Sequence, residues 1–320
     1  MAILVTGGAG FIGSHLVEKL LSAGERVICI DDFNDYYDPG LKRANVKPFL
    51  KEKHFQLYEA DIRDGRAMDE IFAAEDIQAV VHLAARAGVR DSLKDPHLYA
   101  RTNINGILNL LEAVRRKSIQ TFIFGSSSSV YGLSHRVPFR EDDPVDSPIS
   151  PYAATKRAGE LLCHAYHQLY QIPITILRFF TVYGPRGRPE MAIYKFTRFI
   201  DEGKEIPVYG DGTSRRDYTY VSDIVQGIIS ALRKSFPFEI FNLAGGRTVE
   251  LREMISLLEK SLKKKVRIKY CPEQQGDVRL TSADISRARQ LLSYSPRVSL
   301  EEGIERLIQW YRLSGRGEQE

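Results

Sequence analysis

At 320 residues the chain suits one large or two closely packed domains, and its 43% hydrophobic and 27% charged residues are ordinary for a globular protein. A net charge of +4 is too mild to argue for nucleic acid, and no stretch approaches the ~20 apolar residues needed to span a bilayer. Cys29, Cys163 and Cys271 are scattered without metal-ligand spacing; idle thiols in a reducing cytoplasm are expected, with no metal, no membrane and no nucleic-acid partner.

In chain order, "MAILVTGGAG" opens with a five-residue apolar run, which reads as a strand and not as a signal peptide. Short apolar, β-branched runs follow at 26–31, 55–61, 79–85, 121–127 and 174–179, separated by helical patterns near 13–23, 66–75, 97–117 and 151–170. Continuously apolar strands alternating with helices predict a parallel sheet covered on both faces, an α/β doubly wound fold. After residue 180 the pattern loosens. The stretches 183–191 and 206–218, punctuated by Pro and Gly, are expected to be loops. "VSDIVQGIISALR" and "EIFNLAGG" predict one more helix and strand returning to the sheet, and helical patterns near 251–263, 284–292 and 301–313 close the chain. The basic run "KSLKKKVRIKY" (260–270) reads as a helix end and an exposed strand. The expected division is a dinucleotide-binding domain over 1–180, with a return near 215–244, and a smaller α/β substrate domain over 181–320 whose tail frays.

"TGGAGFIG" (6–13) follows the first strand and opens the first helix, and reads as G8-x-G10-x-x-G13 or as G7-x-x-G10-x-x-G13. Glycines let the backbone turn tightly and approach a pyrophosphate, which then rests on the helix N-terminus. The second strand ends in Asp31, placed to accept the hydroxyls of an adenosine ribose and to repel a 2′-phosphate, so NAD is favoured over NADP; Asp32 is a second candidate. At the same sheet edge Asp61 and Ile62 end the third strand, and Leu83, Ala84 and Ala85 end the fourth, where small residues let backbone lie against a cofactor.

In "SPYAATK" (150–156), Ser150 is a good N-cap and Pro151 suits the first helical position. Tyr152 and Lys156 then stand side by side on one helix face, four residues apart. An isolated pair of this kind is an exposed aromatic beside a solvated lysine. Here the strand 121–127 delivers "SSSSVYG" (126–132) to the same carboxyl edge, where its hydroxyls meet a ligand.

Together Thr6–Gly13, Asp31, Ser126–Gly132, Tyr152-x-x-x-Lys156 and "LRFFTVYGPRGRPEM" (177–191) resemble the extended short-chain dehydrogenase/reductase family, over essentially the whole chain. The resemblance implies NAD contacts from Gly7, Gly10, Phe11, Ile12, Gly13, Asn34 and Asn103 besides the residues above. It also implies Tyr152 as acid/base, Lys156 holding the ribose and lowering the tyrosine's pKa, Ser127 bonding the reacting hydroxyl, and a homodimer built on the helices 97–117 and 151–170 as a four-helix bundle. Free tyrosine, near pKa ~10, is a poor base at neutral pH, and a neighbouring ammonium favours its phenolate.

Ser128 and Ser129 stand where family members that dehydrate or decarboxylate carry an acidic residue, which leaves oxidation and re-reduction, an epimerisation. The stretches 31–45, 85–92 and 184–192 resemble epimerases acting on UDP-glucuronate more than those acting on UDP-galactose. A hexuronate carries a C5 carboxylate that a guanidinium matches bidentately, and Arg188 is expected to take it, assisted by Ser127, Ser128 and Thr181. By resemblance Arg216 and Arg279 meet the UDP phosphates, Val208 lies by the uracil and Arg90 faces the same region. UDP-glucose/UDP-galactose epimerisation, a net NAD-dependent dehydrogenase or reductase, and an NAD-sensing scaffold are the alternatives.

Overall fold

The computed structural model describes residues 1–314 apart from His135, Gln275 and Asp277; the expected fraying of the tail lies outside the described residues. The strands are β1 (Ala2–Thr6), β2 (Arg26–Asp31), β3 (Phe55–Glu59), β4 (Ala79–His82), β5 (Thr121–Ser127), β6 (Ile174–Phe179), β7 (Thr181–Tyr183), β8 (Ile206–Tyr209), β9 (Arg215–Tyr220), β10 (Phe238–Leu243), β11 (Thr248–Glu250) and β12 (Ile268–Cys271). The helices are α1 (Phe11–Ser22), α2 (Pro39–Val46), α3 (Gly65–Ala74), α4 (Val89–Lys94), α5 (Pro96–Ala100), α6 (Gly106–Arg115), α7 (Pro151–Tyr170), α8 (Ala192–Asp201), α9 (Val221–Lys234), α10 (Leu251–Leu262), α11 (Ser286–Leu292) and α12 (Leu300–Leu313).

Seven strands form one parallel sheet in the order β10-β6-β5-β4-β1-β2-β3. Chain order reverses at β1 and β4, the crevice where doubly wound folds bind ligands. Both faces are buried, which is why the strands are apolar without alternation. Ile3, Val5, Val27 and Cys29 pack on one side with Leu16, Val17 and Leu20 of α1 and Ile224 and Ile228 of α9. Leu4, Ile28 and Ile30 pack on the other with Met68, Ile71 and Phe72 of α3 and Leu110, Leu111 and Val114 of α6.

Local capping sets α7: the Ser150 hydroxyl accepts from the Ala153 amide at 3.1 Å, Pro151 starts the helix, and Gln171 closes it in the left-handed region. The helix expected over 97–117 runs without a break from Pro96 to Arg115, with one irregular turn inside it. A π-helical turn at Arg101–Asn105 joins α5 to α6 and turns Asn103 inward; such turns recur at functional sites. The runs expected to reach residues 61 and 85 leave the sheet after Glu59 and His82, freeing the segments beyond to line a crevice.

The expected loop at 206–218 is mostly strand. Gly210 and Gly212, with φ of 74° and 80°, confine the turn so that β8 and β9 pair on either side. β9 lies between β11 and β7 in a second sheet, and β8 pairs with β12, which exposes Tyr270 as the basic run suggested. Helices α2 and α8 fall in stretches whose sequence carried no helical expectation.

Candidate active site

One cavity of about 580 Å³ runs across the carboxyl ends of β1, β2, β4 and β5 and under β7, β8 and β9. At its floor two glycines of the turn leave no space for a side chain. Gly7 has φ 69° and a Cβ there would lie 2.7 Å from the Ala84 amide nitrogen, while one on Gly13 would lie 2.1 Å from the Gly7 carbonyl oxygen. Gly10 caps α1 without a side chain, so the first amides of the helix remain available to an anion.

Asp31 closes β2 beside this turn. Its carboxylate accepts from the Ala9 amide at 3.1 Å and the Phe33 amide at 3.0 Å, and burial raises its pKa. Asp32 accepts from the Asn34 amide at 3.1 Å, and Asn34 in turn accepts from the buried Lys42 ammonium at 2.8 and 3.0 Å. Phe11, Ile12, Ile62, Leu83, Ala84 and Ala85 complete this half of the cavity. A long crevice with a bare helix terminus, no room for Cβ atoms and carboxylates at its far end fits a dinucleotide.

Two expected cofactor contacts do not line the cavity. Asp61 turns back to its own loop, where Arg63 binds it at 2.7 Å. Asn103 instead ties the walls together: it accepts from the Arg86 amide at 2.8 Å and donates to the Arg86 carbonyl and to Thr155 on α7, both at 2.9 Å.

Tyr152, Lys156 and Ser127 converge at the other end of the crevice. The Ser127 hydroxyl donates to that of Ser129 at 3.1 Å and shares the cavity with the Tyr152 phenol. The phenol's pKa is raised, not lowered as expected: burial dominates, against the Ser127 hydroxyl and the charge of Arg188. Lys156 donates to the Gly125 carbonyl at 2.7 Å, and burial lowers its pKa to about 8 against the opposing pull of Glu160. Glu160, one helical turn on, is itself buried. It accepts both nitrogens of the Arg178 fork at 2.9 Å and the Ser126 hydroxyl at 2.6 Å.

Ser128, Ser129 and Thr181 line the same end, together with Arg188. The Arg188 Nε lies 3.3 Å from Glu190, and its buried Nη1 has no hydrogen-bond partner. Arg216 lines the cavity and donates to the Arg215 carbonyl; Arg90 lines it and lies 4.8 Å from the ring centre of Tyr209.

Val208 and Arg279 are not in the cavity. Alternation along β8 turns Val208 into the core and its neighbours Pro207 and Tyr209 toward the cavity. Arg279 is 86% exposed and pairs with Glu273 at 2.8 Å. Sequence reasoning missed Tyr36, Lys42, Asp91, Glu190 and Lys195, all of which line the cavity. The signal for the first two was their place in the segment leaving the carboxyl end of β2, directly after Asp31.

A doubly wound sheet with a glycine turn at its crossover and a Tyr-Lys-Ser cluster beside it defines the short-chain dehydrogenase/reductase class. Within that class the chain belongs to the extended family described as GDP-mannose 4,6 dehydratase, which it matches over residues 4–307. It is 45% identical to a UDP-glucuronate 4-epimerase of Thermodesulfobacterium geofontis, over 96% of this chain and 95% of that protein. The crystal structure of UDP-glucuronic acid 4-epimerase from Bacillus cereus, in complex with UDP-glucuronic acid and NAD, superposes with a TM-score of 0.94 at 40% identity, covering 98% of this chain and all of that one. UDP-glucose 4-epimerase of Thermotoga maritima with UDP-glucose gives 0.90 at 35% identity, covering 98% of this chain and 99% of that one.

Proposed function

We propose that the chain is an NAD-dependent UDP-sugar 4-epimerase that interconverts UDP-glucuronate and UDP-galacturonate. The observation that carries this reading is Arg188, with an unsatisfied guanidinium nitrogen, in the same cavity as Tyr152 and Ser127. A hexuronate carboxylate is the anion that such a position suits.

In this reading Ser127 orients the C4 hydroxyl, and Tyr152, which the positive charges of Lys156 and a bound nicotinamide would ionise against the burial that raises its pKa, takes its proton as C4 is oxidised. Lys156 supplies positive charge beside the nicotinamide ribose. The 4-keto sugar then turns over within the cavity, and Tyr152 returns the proton when the opposite face is reduced. Bound NAD supplies the two-electron acceptor that is regenerated within each cycle, so no net redox change accumulates. Gly7, Gly10, Gly13 and the α1 amides would hold its pyrophosphate, Asp31 and Asp32 its adenosine ribose. Arg216 and Arg90 would meet the UDP diphosphate.

The 4-ketone lies β to the carboxylate and is prone to lose CO₂. The loop 126–129 offers only hydroxyls, and an arginine grip that keeps the carboxylate charged and turned away from the ketone opposes that loss.

The division into a cofactor domain over 1–180 with its return near 215–244 and a substrate domain over 181–320 belongs to the same proposal. So does a homodimer: Leu161, Ala165 and Leu169 form an exposed stripe on α7, beside exposed Leu108 on α6. Sedimentation at micromolar protein reads a dimer if this stripe is paired. A reducing cytoplasm suits the three free cysteines.

Incubating the purified protein separately with UDP-glucuronate and UDP-glucose, and resolving the products by chromatography, tests the function. Formation of UDP-galacturonate without net NADH supports it. UDP-galactose from UDP-glucose alone would replace it with the neutral-sugar epimerase, and accumulating NADH with a dehydrogenase.

A further inference from the structure

Three segments that are distant in sequence meet at the sugar end of the cavity, and one side chain touches all of them. Tyr36 lies between β2 and α2. Its hydroxyl donates to the Asp91 carboxylate in the first turn of α4 at 3.0 Å. The Arg188 guanidinium lies over the Tyr36 ring, 5.9 Å from its centre.

Each contact is held from behind. Asp91 accepts from the Lys94 ammonium at 2.7 Å. Tyr99 donates to the Ala87 carbonyl at 2.6 Å, and its ring meets that of Tyr152 edge to face, 6.3 Å between centres. Gly88 has φ 99°, and a Cβ there would lie 2.5 Å from the Tyr36 hydroxyl oxygen, so the backbone makes room for this one group. The Tyr36 amide is fixed in turn by the Asn34 side chain at 3.1 Å.

We infer that Tyr36 is a positioning residue that aims Arg188 and so separates hexuronates from neutral hexoses, an inference that rests on Arg188 as the carboxylate reader. An arginine side chain has four rotatable bonds, and an unsupported guanidinium samples many directions. The ring face attracts the flat cation and limits its tilt. Anchoring the hydroxyl on Asp91 limits how far the ring itself can turn.

The test uses the purified enzyme with its bound cofactor as wild type, Tyr36→Leu, Tyr36→Phe, Arg188→Lys and the Tyr36→Leu/Arg188→Lys double variant. Calorimetric binding of UDP-glucuronate and UDP-glucose, kcat and KM for UDP-glucuronate, and the thermal midpoint are read for each. Tyr36→Leu is expected to weaken UDP-glucuronate binding about 5- to 20-fold while leaving UDP-glucose binding unchanged. KM rises with it and kcat stays within about twofold. Tyr36→Phe, which keeps the ring but loses its anchor on Asp91, recovers part of the loss. In the Arg188→Lys background Tyr36→Leu adds nothing.

Equal losses for both ligands, or additive losses in the double variant, would overturn the role of Tyr36 while leaving the epimerase reading intact. If Arg188→Lys itself leaves UDP-glucuronate binding unchanged, the carboxylate assignment falls and takes this inference with it. A thermal midpoint that drops in step with binding would mean that Tyr36 serves only the fold.

Discussion

Glu160→Gln removes one negative charge and almost no volume, yet it reaches both the fold and the site. Arg178 and Glu160 are each 1% exposed, and the bidentate contact at 2.9 Å is supplemented by Ser126 at 2.6 Å and by Arg157 at 3.2 Å. The neutral amide leaves the Arg178 guanidinium buried without a counter-charge, a change that costs about 3–5 kcal/mol. With about 2–4 °C lost per kcal/mol in large domains, the thermal midpoint falls by roughly 6–20 °C. The second consequence is at Lys156. Burial holds its pKa near 8 and the Glu160 charge is the main influence keeping it from falling further. In the variant the ammonium deprotonates at lower pH, so the alkaline limb of kcat/KM moves down. The assays are thermal unfolding followed by circular dichroism and a pH profile of epimerisation. A variant that melts with the wild type and keeps its alkaline limb would refute the coupling of this ion pair to the site.

In the unaltered protein the sign follows from the same shift: Lys156 is charged below about pH 8 and neutral above it, so kcat/KM falls as pH rises through about 8. A profile flat to pH 10 would contradict this. Tyr152→Phe removes the proton carrier from a group the fold does not need, and kcat drops about 10²- to 10⁴-fold with the thermal midpoint within a few degrees. Retained turnover would move the acid/base role elsewhere. Gly13→Ala places a methyl 2.1 Å from the Gly7 carbonyl oxygen. Purified protein is expected to lose its bound dinucleotide, seen as loss of the cofactor released on heat denaturation, and full retention would show that the turn is not the pyrophosphate site.

What the sequence alone determined was whatever spacing along the chain encodes. Apolar runs flanked by helical periodicity specified a parallel sheet because a strand buried on both faces cannot alternate. The glycine turn and the Tyr152/Lys156 pair were legible because each is set within a single strand-turn-helix or helical turn. Ser150 and Pro151 marked the start of α7 by the same local logic. Even the β8–β9 segment misled only because its glycines are real turns between short strands whose partners lie far away in the chain.

Tertiary structure decided which side chains share the cavity. A residue's facing along a short strand depends on register, and β8 happens to bury Val208 and present Pro207 and Tyr209. Arg279 and Asp61 are cations and anions of the right kind that found nearer partners, Glu273 and Arg63. Tyr36, Asp91, Tyr99 and Arg188 carry no motif together, since 152 positions separate the first from the last. They meet because the crossovers bring the segments following β2, β4 and β7 to one rim. Contact there is a property of the packed sheet, and no spacing rule along the chain contains it.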